Sequence, residues 1–170
     1  MANKAERLRL SSADREHWRA KRLFLFIDSL LDAQTPDTPL TDPRLATILE
    51  SSFRHFAGER YDLISYSIMP SHLHWLFRPI ESWAEVAVAA SRRNQRPRTP
   101  REIITHSFQS YTATQCNRVL NRTGPFWQSE TFDHWVRTEA ELARIIRYID
   151  QNPVRAGLVA KAEEWPWRMP

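Results

Sequence analysis

YDLISYSIMPSHLHWLFR, running from Tyr61 to Arg78, decides the fold. Tyr61 to Ile68 and His72 to Arg78 are rich in aromatic and branched residues and read as two strands. Met69-Pro70-Ser71 separates them, and so short a connection makes an antiparallel hairpin. Side chains alternate faces along a strand, so His72 and His74 fall on one side while Leu73 points into the core. Two imidazoles at that spacing can both reach one divalent metal. Read alone, a His-x-His pair is also what the solvated face of an amphipathic strand looks like.

Helices surround the hairpin. From Ser11 to Ala33 apolar residues recur at spacings of three and four (Trp18, Leu23, Phe24, Ile27, Leu30, Leu31), a helical period. After a polar loop, Asp42 is placed as an N-cap with Pro43 in the first helical position, opening a helix to about Ala57 that Gly58 stops. Ser82 to Ala90 reads as a short helix. Thr99-Pro100-Arg101-Glu102 carries a capping box for a helix to about Leu120. Asn121 to Pro125 is a turn, and Thr131 to Arg137 reads as a further strand. A second capping box, Thr138 to Glu141, opens a helix through about Gln151, with Asn152-Pro153 ending it. The order suits an α+β fold, one domain of 170 residues with helices packed on an antiparallel sheet.

Composition narrows the function. Hydrophobic residues make up 42% of the chain, which is globular rather than disordered. The net charge of +4 suits an anionic partner. One cysteine, Cys116, excludes an internal disulfide and a cysteine-cluster metal site. No apolar run approaches the roughly 18 residues that span a bilayer, and Met1 to Ser12 lacks the apolar core of a signal peptide. The expectation is a cytoplasmic protein with no membrane partner.

On the last long helix, Tyr148 and Asn152 stand four residues apart on one face, a phenol and an amide presented together. Taken alone, they are a packing aromatic and a helix cap. Taken with His-Leu-His, Gly124-Pro125-Phe126-Trp127-Gln128, Phe132-Asp133-His134 and the run Arg147-Tyr148-Ile149 to Asn152-Pro153-Val154-Arg155-Ala156-Gly157-Leu158, they carry a likeness. In this order the motifs resemble the REP-associated tyrosine transposases, which belong to the HUH single-tyrosine transposases of insertion sequences. The resemblance covers Leu10 to Trp167.

That resemblance implies a ferredoxin-like HUH fold and an enzyme that cuts single-stranded DNA beside a hairpin (REP-like) element and rejoins it through a 5′-phosphotyrosine. It implies Tyr148 as nucleophile, His72 and His74 as metal ligands and Asn152 as the third. Mg²⁺ or Mn²⁺ is the implied cofactor. The chemistry is coherent, because a phenol with a pKa of about 10 is a weak nucleophile facing an electron-rich phosphodiester. A divalent ion on that phosphate supplies the missing polarisation. Family members begin with a strand ahead of the first helix, whereas this chain enters the helix almost at once. The expectation is therefore a fold without its N-terminal strand, and a catalytically decayed DNA-hairpin-binding protein is the alternative function. A metal-dependent hydrolase of small phosphoesters ranks below both, since no Asp/Glu cluster has metal-site spacing.

The basic loop Arg92, Arg93, Arg96 and Arg98, together with Arg118 and Arg122, is the candidate phosphate-binding set; as a plain alternative the loop is a solvated linker. Trp127 and Trp135 are candidates to stack on unpaired bases, with core packing favoured for Trp127. His106 and His134 read as structural. Tyr111 is the competing tyrosine, but Gln115 stands where Tyr148 has Asn152. A monomer and a homodimer with shared active sites are equally compatible with these residues.

Overall fold

The computed structural model describes residues 38–91, 97–128 and 135–169. They all fall in the compact unit Thr38–Pro170. The helix expected over Ser11 to Ala33, the strand expected to be missing before it, and Arg92, Arg93 and Arg96 lie outside the described residues.

Among these residues the elements run α1 (Pro43–His55), β1 (Tyr61–Ile68), β2 (Leu73–Pro79), α2 (Glu81–Ser91), α3 (Pro100–Val119) and α4 (Glu139–Arg155). The fold is α+β, with β1 and β2 paired antiparallel as expected. Asp42 caps α1 by accepting from Arg44 N at 2.9 Å, with Pro43 behind it at the first position. The Arg44 guanidinium, bonded to the same carboxylate, holds Asp42 below the usual carboxylate range. Thr99 and Glu102 close the capping box of α3 reciprocally, as their spacing predicts.

The hairpin has one irregularity that matters. Leu63 pairs with Phe77 and Ser65 with Leu76, so Ile64 is an extra residue, a bulge. Because strand side chains alternate strictly, one inserted residue swaps the faces beyond it. The bulge lets Leu63 share a face with Tyr66 and Ile68 despite the odd spacing. Leu63, Tyr66, Ile68, Leu73 and Trp75 all join one core cluster with Leu45, Leu49, Phe53 and Phe108 of α1 and α3. Its centre is aromatic. Phe53 stacks on Phe108 with centroids 4.6 Å apart and lies 5.0 Å from both Tyr66 and Trp75. Burying such rings contributes about 1.5–3 kcal/mol each.

The opposite face carries Ser65, Ser67 and His74, and α4 packs against both strands. Small serines on β1 leave room for the helix. The free edge of β1 is covered by the C-terminal segment. Ile68 N donates to Trp167 O at 2.8 Å, and Met169 N to Tyr66 O at 3.0 Å. Trp165 Nε1 adds a bond to Ile68 O, and Arg168 reaches Asp150 of α4 at 2.8 Å. β1 is therefore held on both edges, and the tail ties it to α4.

Two expectations are corrected. Trp135 to Arg137 form no strand; 129–134 lie outside the described residues. And α4 does not end at Asn152-Pro153. Proline forfeits one internal hydrogen bond and its ring crowds the carbonyl four residues back, yet the helix carries Pro153 and continues to Arg155. It ends instead at Ala156, where Gly157 N donates to Val154 O at 3.0 Å and Leu158 N to Pro153 O at 2.9 Å. Gly157 has φ +71°, so this is a Schellman stop built on a left-handed glycine. Asn152 is no cap. It is a buried residue one turn inside the helix, 1% exposed.

Candidate active site

The site lies where α4 crosses the serine-and-histidine face of the hairpin. Leu73 packs into the aromatic core, which turns its two neighbours the other way. His72, at the mouth of the strand, and His74, buried opposite Ser67, then meet. Their Nε2 atoms are 3.2 Å apart and the rings stand nearly perpendicular. Ser71 Oγ lies 3.1 Å from His72 Nδ1. When Nδ1 carries the ring proton, the serine hydroxyl accepts it and Nε2 presents a lone pair toward His74.

The helix supplies the phenol. The Tyr148 ring sits edge-on to His74 with centroids 5.6 Å apart. Asn152 follows one turn on, about 6 Å further along the axis. From the last turn, Arg155 leans back along α4 and places its guanidinium 4.7 Å above the centre of the Tyr148 ring. Arg155 belongs to the long run ending at Leu158, and nothing in that run by itself marks it as a site residue. The signal available was its spacing: seven residues, two turns, beyond the tyrosine.

The other tyrosines are placed elsewhere. Tyr61 donates to Phe53 O at 2.8 Å and Tyr66 to Glu50 Oε1 at 2.7 Å. Burial pushes each of these phenols up to about 12. Tyr111 is exposed on α3. Of the chain's four tyrosines, Tyr148 alone lies against the histidine pair.

Can these residues hold a metal? Two nitrogens each about 2.1 Å from one ion and 3.2 Å from each other subtend about 100° at it, the angle of adjacent ligands. Two neutral imidazoles and a carboxamide are donors a divalent cation accepts, with positions left for phosphate oxygens and water. The described residues include no group of three or more His, Cys, Asp or Glu side chains able to hold a metal, so any third protein donor is of another kind.

The remaining candidates are scattered. Arg98 is exposed ahead of α3, its backbone N–H bonded to Ser91 Oγ. Arg118 is exposed in the last turn of α3. Arg122 is engaged within its own turn, donating to Asn117 Oδ1 at 3.0 Å with its guanidinium 5.1 Å from the Phe126 ring. Trp127 packs on the core and donates to Thr112 Oγ1 at 3.0 Å, as the core reading expects. Trp135 is 63% exposed. No helix among the described residues is long and apolar enough to cross a membrane.

The chain is similar to a Haemophilus influenzae protein provisionally named as a REP-associated tyrosine transposase. The two are 28% identical over 112 residues, a stretch covering 63% of this chain and 57% of that protein. The chain thus matches little more than half the length of this curated relative. No family model matches the chain, and no solved structure matches it. The similarity supports the resemblance that the motifs carry: over this stretch the chain is similar to a protein named for the REP-associated tyrosine transposases.

Proposed function

We propose that this protein is a single-strand DNA nicking and joining enzyme of the transposase type, working in the cytoplasm on hairpin-bearing DNA, with Tyr148 as its nucleophile. The observation that carries the reading is the meeting of the Tyr148 ring with His74, whose Nε2 lies 3.2 Å from that of His72. In the reaction Tyr148 Oη attacks the phosphorus of one phosphodiester. The bond from phosphorus to the 3′ oxygen breaks as the bond to Oη forms. The phenolic proton passes to solvent and the leaving 3′ oxygen takes one up, so no net hydrolysis occurs. The bond energy stays in the 5′-phosphotyrosine, and reversal rejoins a strand without an external energy source.

A divalent cation, Mg²⁺ or Mn²⁺, bound by His72, His74 and Asn152 would supply charge neutralisation and polarisation at the phosphate. The chain's own residues do the positioning. α4, clamped through Asp150 to Arg168, fixes the phenol against the hairpin. Burial of His74 and Asn152 holds the donors in place.

The test is incubation with labelled single strands carrying the hairpin repeats of the source genome, with Mg²⁺ or Mn²⁺, followed by denaturing electrophoresis. A protein–DNA adduct is expected, lost in Tyr148→Phe and reduced at least a hundredfold in His72→Ala and His74→Ala. Hairpin binding without any adduct would instead assign the protein as a hairpin-binding module that does no chemistry.

A further inference from the structure

The solvent side of α4 carries, around Tyr148, a set of arginines to which the nicking reading assigns no role. At 100° per residue, Arg144, Arg147, Tyr148, Gln151 and Arg155 fall within an arc of about 100°. The three arginines and Gln151 are exposed, and Tyr148 is half-buried at the seam with the hairpin. Ala140 is the other residue of this arc, so the stripe contains no acid. A solvated helix face ordinarily mixes both signs of charge. Among the described residues no carboxylate pairs with Arg144, Arg147 or Arg155. The nearest acid along the helix, Asp150, lies off the stripe and is bonded to Arg168 at 2.8 Å and to Gln151 at 3.3 Å. At the helix start, Glu141 is buried and accepts from Arg137 N.

We propose that this stripe is a phosphate track for single-stranded DNA. Arg144 and Arg147 hold backbone phosphates on one side of Tyr148, and Arg155 holds the scissile phosphate or its neighbour at the ring itself. Arg155 is the best-placed of the three, because its guanidinium already stands over the ring of the attacking phenol. Arg144 lies about 6 Å from Tyr148 along the axis, and Arg155, though its backbone is about 10 Å the other way, leans its guanidinium back over the Tyr148 ring, so the track leads to the nucleophile. Guanidinium groups suit the task, since their fork of donors matches phosphate oxygens. Such contacts add affinity and register without reading sequence. The inference rests on the nicking reading and adds the residues that deliver the strand to it.

The experiment measures fluorescence anisotropy of a labelled hairpin oligonucleotide with single-stranded flanks, over a series of salt concentrations. The full chain carries Tyr148→Phe throughout, so that no strand is cut. Each phosphate contact on a single strand contributes about 0.7 to the slope of log affinity against log salt. Arg144→Gln, Arg147→Gln and Arg155→Gln are each expected to flatten the slope by about 0.7. The triple variant should flatten it by about 2 and weaken binding at least tenfold at low salt. Circular dichroism and melting temperature should match the parent, because all three side chains are exposed. A triple variant with the parent's slope and affinity would overturn the track while leaving the nicking reading intact. A parent that binds no single strand at all would overturn both.

Discussion

Replacing Gly157 by alanine should destabilise the protein through backbone strain alone. The residue sits at φ +71°, where an L side chain crowds its own carbonyl at a cost of about 1–2 kcal/mol. Among the described residues nothing adds to that cost, because a Cβ built there meets nothing within 4 Å. Alanine also narrows the unfolded ensemble, which offsets about 0.4–1 kcal/mol. The net loss is about 1 kcal/mol, or roughly 2–4 °C in melting temperature for a chain of this size. Asparagine visits the left-handed region readily and should lose less, whereas branched valine should lose more. Thermal unfolding of the three variants at one pH measures the series. The order expected is wild type, Gly157→Asn, Gly157→Ala, Gly157→Val. A Gly157→Ala protein as stable as wild type, or an asparagine variant no better than alanine, would refute the Schellman stop as the reason for this glycine. The consequence reaches the site, because the stop closes the turn that follows Asn152.

Ser71→Ala should leave His72 Nδ1 without its hydroxyl partner. Nitrogen-detected histidine spectra are then expected to show the ring proton moving toward Nε2, with Mn²⁺ binding weakened about tenfold or more. Ser71→Thr should restore both, and unchanged spectra in the alanine variant would remove Ser71 from the site. At alkaline pH the buried phenols Tyr61 and Tyr66, pushed up to about 12, bind their protons more tightly folded than unfolded. Their contribution is whole below the unfolded value of about 10 and is lost as pH climbs toward 12. The buried Cys116 thiol, raised to about 11, adds a decline that begins near pH 9. Denaturant unfolding across this range should show stability falling, less steeply in a Tyr61→Phe, Tyr66→Phe double variant. A double variant that falls as steeply as wild type would place the alkaline transition elsewhere.

The hairpin was legible because its two strands and their tight connection are local features, and the two threonine N-caps were legible for the same reason, although only Thr99–Glu102 closes as a reciprocal box, the Glu141 carboxylate accepting from Arg137 N instead. Leu73 inward with His72 and His74 outward follows from the two-residue period alone, and the structure has it so. The bulge at Ile64 can be recognised in retrospect. Apolar positions 61, 63, 66 and 68 break a strict alternation by one residue, but only the partner strand shows which residue is extra. Asn152-Pro153 misled because proline is an ordinary stop signal. The glycine four residues later is the true one, and the packing of α4 on β1 outweighs a single missing bond. The C-terminal segment was not legible at all. Trp167 and Met169 pair with β1 across about a hundred residues of chain, a contact no local pattern encodes. The scattered arginines stand out in the sequence only by their local density. The α4 stripe escaped because its members are spread over three turns among apolar residues facing the sheet.

The central claim is that Tyr148 becomes joined to DNA. The most direct measurement is digestion of the purified protein–DNA adduct with nuclease and trypsin, followed by mass spectrometry of the peptide that keeps a nucleotide. Cleavage after Arg147 and Arg155 yields Tyr148 to Arg155, and the account predicts the added phosphate and nucleoside on that peptide, at Tyr148. Label on the peptide from Glu102 to Arg118, which contains Tyr111, would contradict it.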